Sequence, residues 1–324
     1  MRIGTNPEKD KKIKINYKQH RVIIPVYIPD TEENYFENLF DIFKLSIKSL
    51  LNTINLENTA ISIINNDSKS EVTAYIDSLL SKKLIDKHIK YKENYGKVFT
   101  ILSEARASYE DFITISDADV FYFNYWEKEV FRIFHAFDRA GVVSSVPAPN
   151  VAFYNNISLF GSILKSKLKM ENIVDPESFT LFEQGTNNSN IFKSKRYAWK
   201  KKQYYLEKNS VKACVGSGHF IATYKNVFKE IPLIRPVYVF KNGDESKFLD
   251  SQFDVLGYYR LSTISSFGYH IGNTIPNWIK EYKFSNYKDS KGFKRIPLKT
   301  FTISKQMYKI KRLYFKFLKK TKLI

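Results

Sequence analysis

The sequence predicts an α/β fold: a mostly parallel sheet covered by helices. Three observations predict it. Short continuous apolar runs recur along the first half, as strands buried on both faces require. Segments with apolar residues at helical spacing separate them. Two of the runs end in polar tips, Asn65-Asn66-Asp67 and Asp117-Ala118-Asp119. Such tips suit the carboxyl ends of parallel strands, where sheets of this kind bind their ligands.

Each element follows in order. Residues 21–28 (Arg-Val-Ile-Ile-Pro-Val-Tyr-Ile) read as the first strand. Residues 37–54 read as a helix, with Leu39, Ile42, Phe43 and Leu50 at helical spacing. A second strand at 60–64 runs into the first polar tip, and Val72, Ile76 and Leu79 mark one face of a helix over 70–84. A short strand near Ile89 precedes Asn94-Tyr95-Gly96-Lys97 and a third helix. The strand at 112–116 leads directly into Asp117-Ala118-Asp119, and a helix at 125–137 and a strand at 141–146 complete this half. The second half is less regular. Residues 151–210 read as a long polar and aromatic insertion, 214–222 as a Gly-rich turn entering a strand, and 247–259 as a helix. A β-rich stretch at 261–267 leads into Tyr269-His270-Ile271-Gly272-Asn273. Near the C-terminus, Met307, Ile310, Tyr314 and Phe317 recur at helical spacing with lysines between them, predicting a basic amphipathic helix.

Composition narrows the function classes. With 43% apolar and 16% aromatic residues, the 324-residue chain is not disordered. Its lone cysteine, Cys214, excludes an internal disulfide and a multi-thiolate zinc site, and suits a reducing compartment. The net charge of +19 is concentrated in two segments. Residues 280–324 hold fifteen Lys/Arg against two acids, and residues 193–208 hold seven against one. Such segments attract phosphate-bearing partners. Residues 1–20 contain no apolar run of signal-peptide length, and no run reaches the roughly 18 residues of a membrane span. The chain is therefore expected in the cytoplasm, peripheral on the inner face of the plasma membrane.

The chemistry centres on Asp117-Ala118-Asp119. Two carboxylates at the end of a buried strand repel each other, and burial raises the cost. A divalent cation removes the conflict, and hard oxygen ligands suit Mg²⁺ or Mn²⁺. An Asp-X-Asp pair also suits a plain surface turn; its place at the end of an apolar strand favours the metal. His270 is either a further ligand or a structural histidine.

The order of Val-Ile-Ile-Pro-Val-Tyr, Asn-Asn-Asp-Ser, Asn-X-Gly-Lys and Asp-Ala-Asp resembles the nucleotide-sugar half of GT-A glycosyltransferases, notably family 2. Gly-Ser-Gly-His-Phe, Leu-Asp-Ser-Gln-Phe and His-Ile-Gly-Asn follow in the order of that family, and the likeness covers residues 21–275. The resemblance implies a Rossmann-like nucleotide-sugar half over 21–150 and a less regular acceptor half over 151–275. These follow a polar extension at 1–20 and precede a basic aromatic tail at 276–324.

By the same resemblance, Pro25, Val26, Tyr27, Asp67, Lys97, Asp117 and Ala118 would contact the nucleoside-diphosphate sugar. Asp119, Asp117 and His270 would hold Mn²⁺ or Mg²⁺. Asp250, with Asp254 as its rival, would take the acceptor proton, although family members often carry Glu-Asp where this chain has Leu249-Asp250. Gly216, Ser217 and Gly218 would approach the acceptor sugar. One opposed base with no evident nucleophile implies inversion. The acceptor would be a surface glycan, a polysaccharide or a lipid-linked chain, and the C-terminal tail would lie on an anionic membrane. A non-catalytic nucleotide-sugar or glycan-binding protein is the first alternative, and a basic nucleic-acid-binding protein ranks below it. Nucleic acid is not an expected partner, because the acidic cluster repels a polyanion.

Overall fold

The computed structural model describes residues 3–12, 17–285 and 295–324. Residues 286–294 of the predicted tail and parts of the predicted extension lie outside the described residues. The first half runs β1 (His20–Val26), α1 (Leu39–Thr53), β2 (Thr59–Asn66), α2 (Ser70–Ser81), β3 (Lys87–Tyr91), α3 (Lys97–Ala107), β4 (Phe112–Ser116), β5 (Val120–Tyr122), α4 (Trp126–Ala136) and β6 (Ala140–Ser144). The second half runs α5 (Ile157–Phe160), α6 (Ile163–Ser166), β7 (Lys169–Glu171), α7 (Pro176–Gly185), β8 (Gln203–Lys208), β9 (Val211–Val215) and β10 (Ile221–Lys225). A π-helical turn at Ser246–Asp250 then enters α8 (Ser251–Leu256), followed by β11 (Tyr259–Ser262), β12 (Gly268–His270), α9 (Asn277–Glu281) and α10 (Lys305–Lys320).

One sheet has the strand order β3-β2-β1-β4-β10-β6-β11-β9-β8-β7. The four strands β3, β2, β1 and β4 are parallel, with Val22 of β1 set between Ile61 of β2 and Thr114 of β4. Both faces of this half are covered, so β1 and β2 are buried along nearly their whole length. That is why their sequences are continuous apolar runs rather than alternating ones. Helix α1 buries Ile42, Phe43, Ile47 and Leu50 on the sheet, each contributing roughly 1.5–3 kcal/mol.

The structure adds three things to the sequence reading. Strand β10, from the second half, inserts antiparallel between β4 and β6. This carries the turn before it to the tip of β4. The three-residue strands β5 and β12 pair antiparallel, with His270 opposite Val120. The segment 151–210 is not merely irregular: it contains α7 and β8, and β8 pairs with β7 and β9. The C-terminal segment also folds back. Ile296, Phe315, Leu318 and Ile324 join the main hydrophobic core. Among the described residues no helix is long and apolar enough to cross a membrane.

Candidate functional site

Three loops meet where the parallel strands end. The first follows β1, where Pro25 is half-buried, Val26 is buried in the core and Tyr27 is exposed. Of the residues expected to line the nucleotide, Tyr27 therefore offers an exposed ring, packed edge-on against Phe36, whereas the Val26 side chain is buried. The second follows β2. Asn65 Oδ1 accepts the Ser68 N–H at 2.8 Å, and exposed Asp67 turns the chain with φ of +69°. The third follows β3. Asn66 Oδ1 accepts the Tyr95 N–H at 3.1 Å, and Asn94 Oδ1 accepts the Gly96 N–H at 2.9 Å. The polar tip of β2 thus ties its two neighbouring loops together.

Gly96 is required here on two counts. Its φ is +81°, and a Cβ would lie 2.1 Å from the Val239 carbonyl oxygen. This contact brings the segment before α8 over the start of α3. Lys97 opens α3 and binds two carboxylates, Asp117 and Glu245, and their charges outweigh burial to raise its pKa. Burial works against ionisation of Glu245, but Lys97 holds its carboxyl below the usual range.

Asp117 follows β4, and its N–H donates to the Phe220 carbonyl at 2.9 Å, which locks the tip of β4 to the start of β10. Ala118 is half-buried and packs on the core. Asp119 leads into β5, and the Ile271 N–H donates to its carbonyl at 2.8 Å. The β5–β12 pairing therefore sets His270 Nε2 at 3.3 Å from Asp119 Oδ2. His270 Nδ1 lies 2.9 Å from the Gly185 carbonyl oxygen at the end of α7, an acceptor that requires this nitrogen to carry the proton. A cation bound here would take the lone pair of Nε2. Burial, reinforced by Asp117 and opposed by His270, pushes the Asp119 carboxyl up to about 6.

The donor atoms of Asp117, Asp119 and His270 all lie within 4.8 Å of one another. Two carboxylates in conflict and one imidazole of suitable tautomer form a set that fits a divalent cation.

The predicted base residues have other duties. Asp250 has no exposed surface. Its Oδ2 lies 2.8 Å from Arg260 Nη2, which is also buried, and Tyr224 donates to its Oδ1 at 3.1 Å. Asp254 is equally buried and accepts the N–H groups of Ile157 and Ser158 at 3.1 and 2.7 Å, capping α5. Glu245, which the sequence reading did not single out, has a side chain 29% exposed and shares Lys97 with Asp117. The signal was present as the acidic pair Asp244-Glu245 after Asn242-Gly243, a favourable composition just before a helix. His219 also borders this group: its Nδ1 lies 3.2 Å from Asp250 Oδ2 with its ring partly open.

The Gly-rich turn divides in the same manner. Gly216 and Ser217 are buried, the Gly216 N–H donates to the Arg260 carbonyl, and Arg260 donates to the Ser217 carbonyl at 2.6 Å. Gly218 is half-exposed, with its Cβ direction open out to 4.0 Å. Of the three, Gly218 alone faces open space.

A mostly parallel sheet with an acidic cluster at its carboxyl tips is consistent with the fold of a GT-A glycosyltransferase. Comparison of the sequence with family profiles agrees: the chain belongs to glycosyl transferase family 2, whose profile matches residues 22–229. No curated protein matches the chain. Among solved structures it is similar to the mannosyltransferase PcManGT of Pyrobaculum calidifontis, solved in complex with GDP-Man and Mn²⁺. That likeness has 13% identity and a TM-score of 0.42, and covers 77% of this chain and 55% of that one. It is also similar to TarS 1–349 of S. aureus, with 12% identity, a TM-score of 0.41, and 78% and 60% of the two chains covered. The same TarS segment is solved in complex with UDP. The chain thus spans a little over half the length of these structures.

Proposed function

We propose that this glycosyltransferase is inverting and metal-dependent, and moves a sugar from a nucleoside-diphosphate donor to a hydroxyl of a surface glycan, either a polysaccharide or a lipid-linked chain. The observation that carries this reading is the convergence of Asp117, Asp119 and His270 beside Lys97 and Glu245. Asp117, Asp119 and His270 would hold the cation, and the imidazole favours Mn²⁺ over Mg²⁺. A divalent cation there would supply positive charge for the departing nucleoside diphosphate.

The chain's own residues do the rest. Lys97 pairs with Asp117 and holds its side chain in place. Tyr27 and Asp67 offer an exposed ring and an exposed carboxylate to the nucleoside. Glu245 takes the proton of the acceptor hydroxyl as that oxygen attacks the sugar carbon. Of the two carboxylates on Lys97, Glu245 is the one not committed to the cation. A single carboxylate supports a single displacement, hence inversion.

The test has two parts. Nucleotide sugars are screened by thermal shift with and without Mn²⁺; the donor raises the melting temperature only with the metal. Glu245→Gln is then expected to lose at least about a hundredfold in kcat while keeping that shift. Full turnover in Glu245→Gln would remove the base, and a shift indifferent to Mn²⁺ would remove the metal.

A further inference from the structure

Helix α10 docks on the protein with an unexpected face. The sequence placed Met307, Ile310, Tyr314 and Phe317 on one apolar stripe, which a helix packed on its own domain would bury. The packed face instead carries Tyr308, Lys311, Phe315 and Leu318. Tyr308 donates to Asp254 Oδ2 at 3.0 Å, Lys311 Nζ donates to the Ser158 carbonyl and to Ser162 Oγ, and Phe315 and Leu318 are buried. Gly161 permits the close approach, since a Cβ there would lie 2.5 Å from the Lys311 Cβ.

Most of that stripe is left outside, joined by Leu313, while Tyr314 is half-buried against the core. Ile310 is 60% exposed, Leu313 68% and Phe317 54%. At 3.6 residues per turn these lie along one side of the docked face. Lys305, Lys309, Arg312 and Lys316 lie along the other side, and all are exposed. The helix therefore has three stripes: one packed, one apolar and exposed, one basic. Packing accounts for the first and solubility for the third. Neither accounts for the second.

The second basic segment joins this helix. Arg196 donates to the carbonyl of Lys319 in the last turn of α10 and to that of Ile324 beyond the helix. The Phe153 ring lies between the two, 5.0 Å from the Tyr197 ring with Lys319 over it. Lys193, Lys195, Lys200 and Lys201 line a groove of about 580 Å³ with Tyr197 and Trp199. Two basic segments more than a hundred residues apart in sequence thus form one surface.

We propose that α10 and residues 193–201 form a docking surface for an anionic lipid bilayer. Ile310, Leu313 and Phe317 enter the boundary between headgroups and acyl chains, and the lysines meet lipid phosphates. Exposed apolar side chains select a lipid surface over a soluble polyanion, which offers them nothing. A second copy of the chain is disfavoured because a symmetric contact would face basic stripe against basic stripe.

The full chain is sedimented with vesicles of phosphatidylcholine and phosphatidylglycerol, and with phosphatidylcholine alone. Binding is expected on the mixed vesicles only, and weaker at high salt. Leu313→Asp should weaken it at least tenfold. Lys309→Gln and Lys316→Gln should each weaken it about fivefold. All three positions are exposed, so the melting temperature should not move. Equal binding to neutral vesicles, no binding to mixed ones, or wild-type binding by Leu313→Asp would overturn the proposal. So would a change of oligomeric state in Leu313→Asp with vesicle binding intact, which would give the stripe to a second copy. The inference is independent of the transfer reading: Leu313→Asp should retain the Mn²⁺-dependent donor shift, so failure of either leaves the other standing.

Discussion

The two ends of the parallel sheet carry the same kinds of side chain and use them in opposite ways. At the amino ends of the strands the buried charges are matched. Arg21 donates from Nε to Glu110 at 2.9 Å and from Nη1 to Ser62 at 2.7 Å, and Ser62 donates to Glu104 at 2.7 Å. His20 lies 2.7 Å from Glu127 and 2.6 Å from Thr114 Oγ1. Burial alone would raise the Glu110 carboxyl, but Arg21 outweighs it and holds the pKa low. At the carboxyl ends two carboxylates converge, and Asp119 is pushed up instead. A closed polar network contributes rigidity; a site left short of positive charge is prepared to take it from a ligand.

Three substitutions test this contrast. Asp119→Asn should have the largest effect: at least a roughly thousandfold loss of transfer. Its melting temperature should be unchanged or higher, because one of two repelling charges is gone. If the variant unfolded instead, the tip would be structural like the other end. Arg21→Ala should do the reverse, leaving Glu110 buried without its cation. The expected cost is about 3–5 kcal/mol, read from denaturant midpoints, with kcat of the folded protein unchanged. A kcat loss matching that of Asp119→Asn would erase the distinction.

The smallest effect concerns Lys225, at the matched end on β10. Burial pushes its pKa down to about 8, only partly offset by Asp138. Between about 8 and the ordinary 10.5 the unfolded chain still binds a proton that the folded chain has released, so stability should rise with pH across that window. The rise should be on the order of 1–3 kcal/mol and absent in Lys225→Met. Identical pH slopes in the two proteins would show that this ammonium is not strained by burial.

Much of the donor half was legible because its signals are local. The strands β1, β2 and β4 are apolar runs, and their polar tips stand where the site is. Asp117, Asp119 and Lys97 do meet, and His270 joins them. Glu245 was not singled out, because the segment before α8 has no periodicity of its own. Only the Val239–Gly96 contact carries that carboxylate to Lys97. Asp250 suited the part by spacing, but its enclosure by Arg260 and Tyr224 depends on β10 and β11, which adjoin β6 on either side. The exposed stripe of α10 was read as a stripe, and which face would dock was not readable from helical spacing.

What the amino-acid sequence determined alone was therefore the alternation of strands and helices, the acidic tip of β4 and the placing of basic charge in two segments. Each follows from residue type and short-range spacing. The tertiary structure decided which carboxylate is exposed and which is enclosed, how Gly185 orients His270, and that the two basic segments touch. These depend on contacts between residues far apart in the chain, and such contacts follow from how the layers pack rather than from any local period.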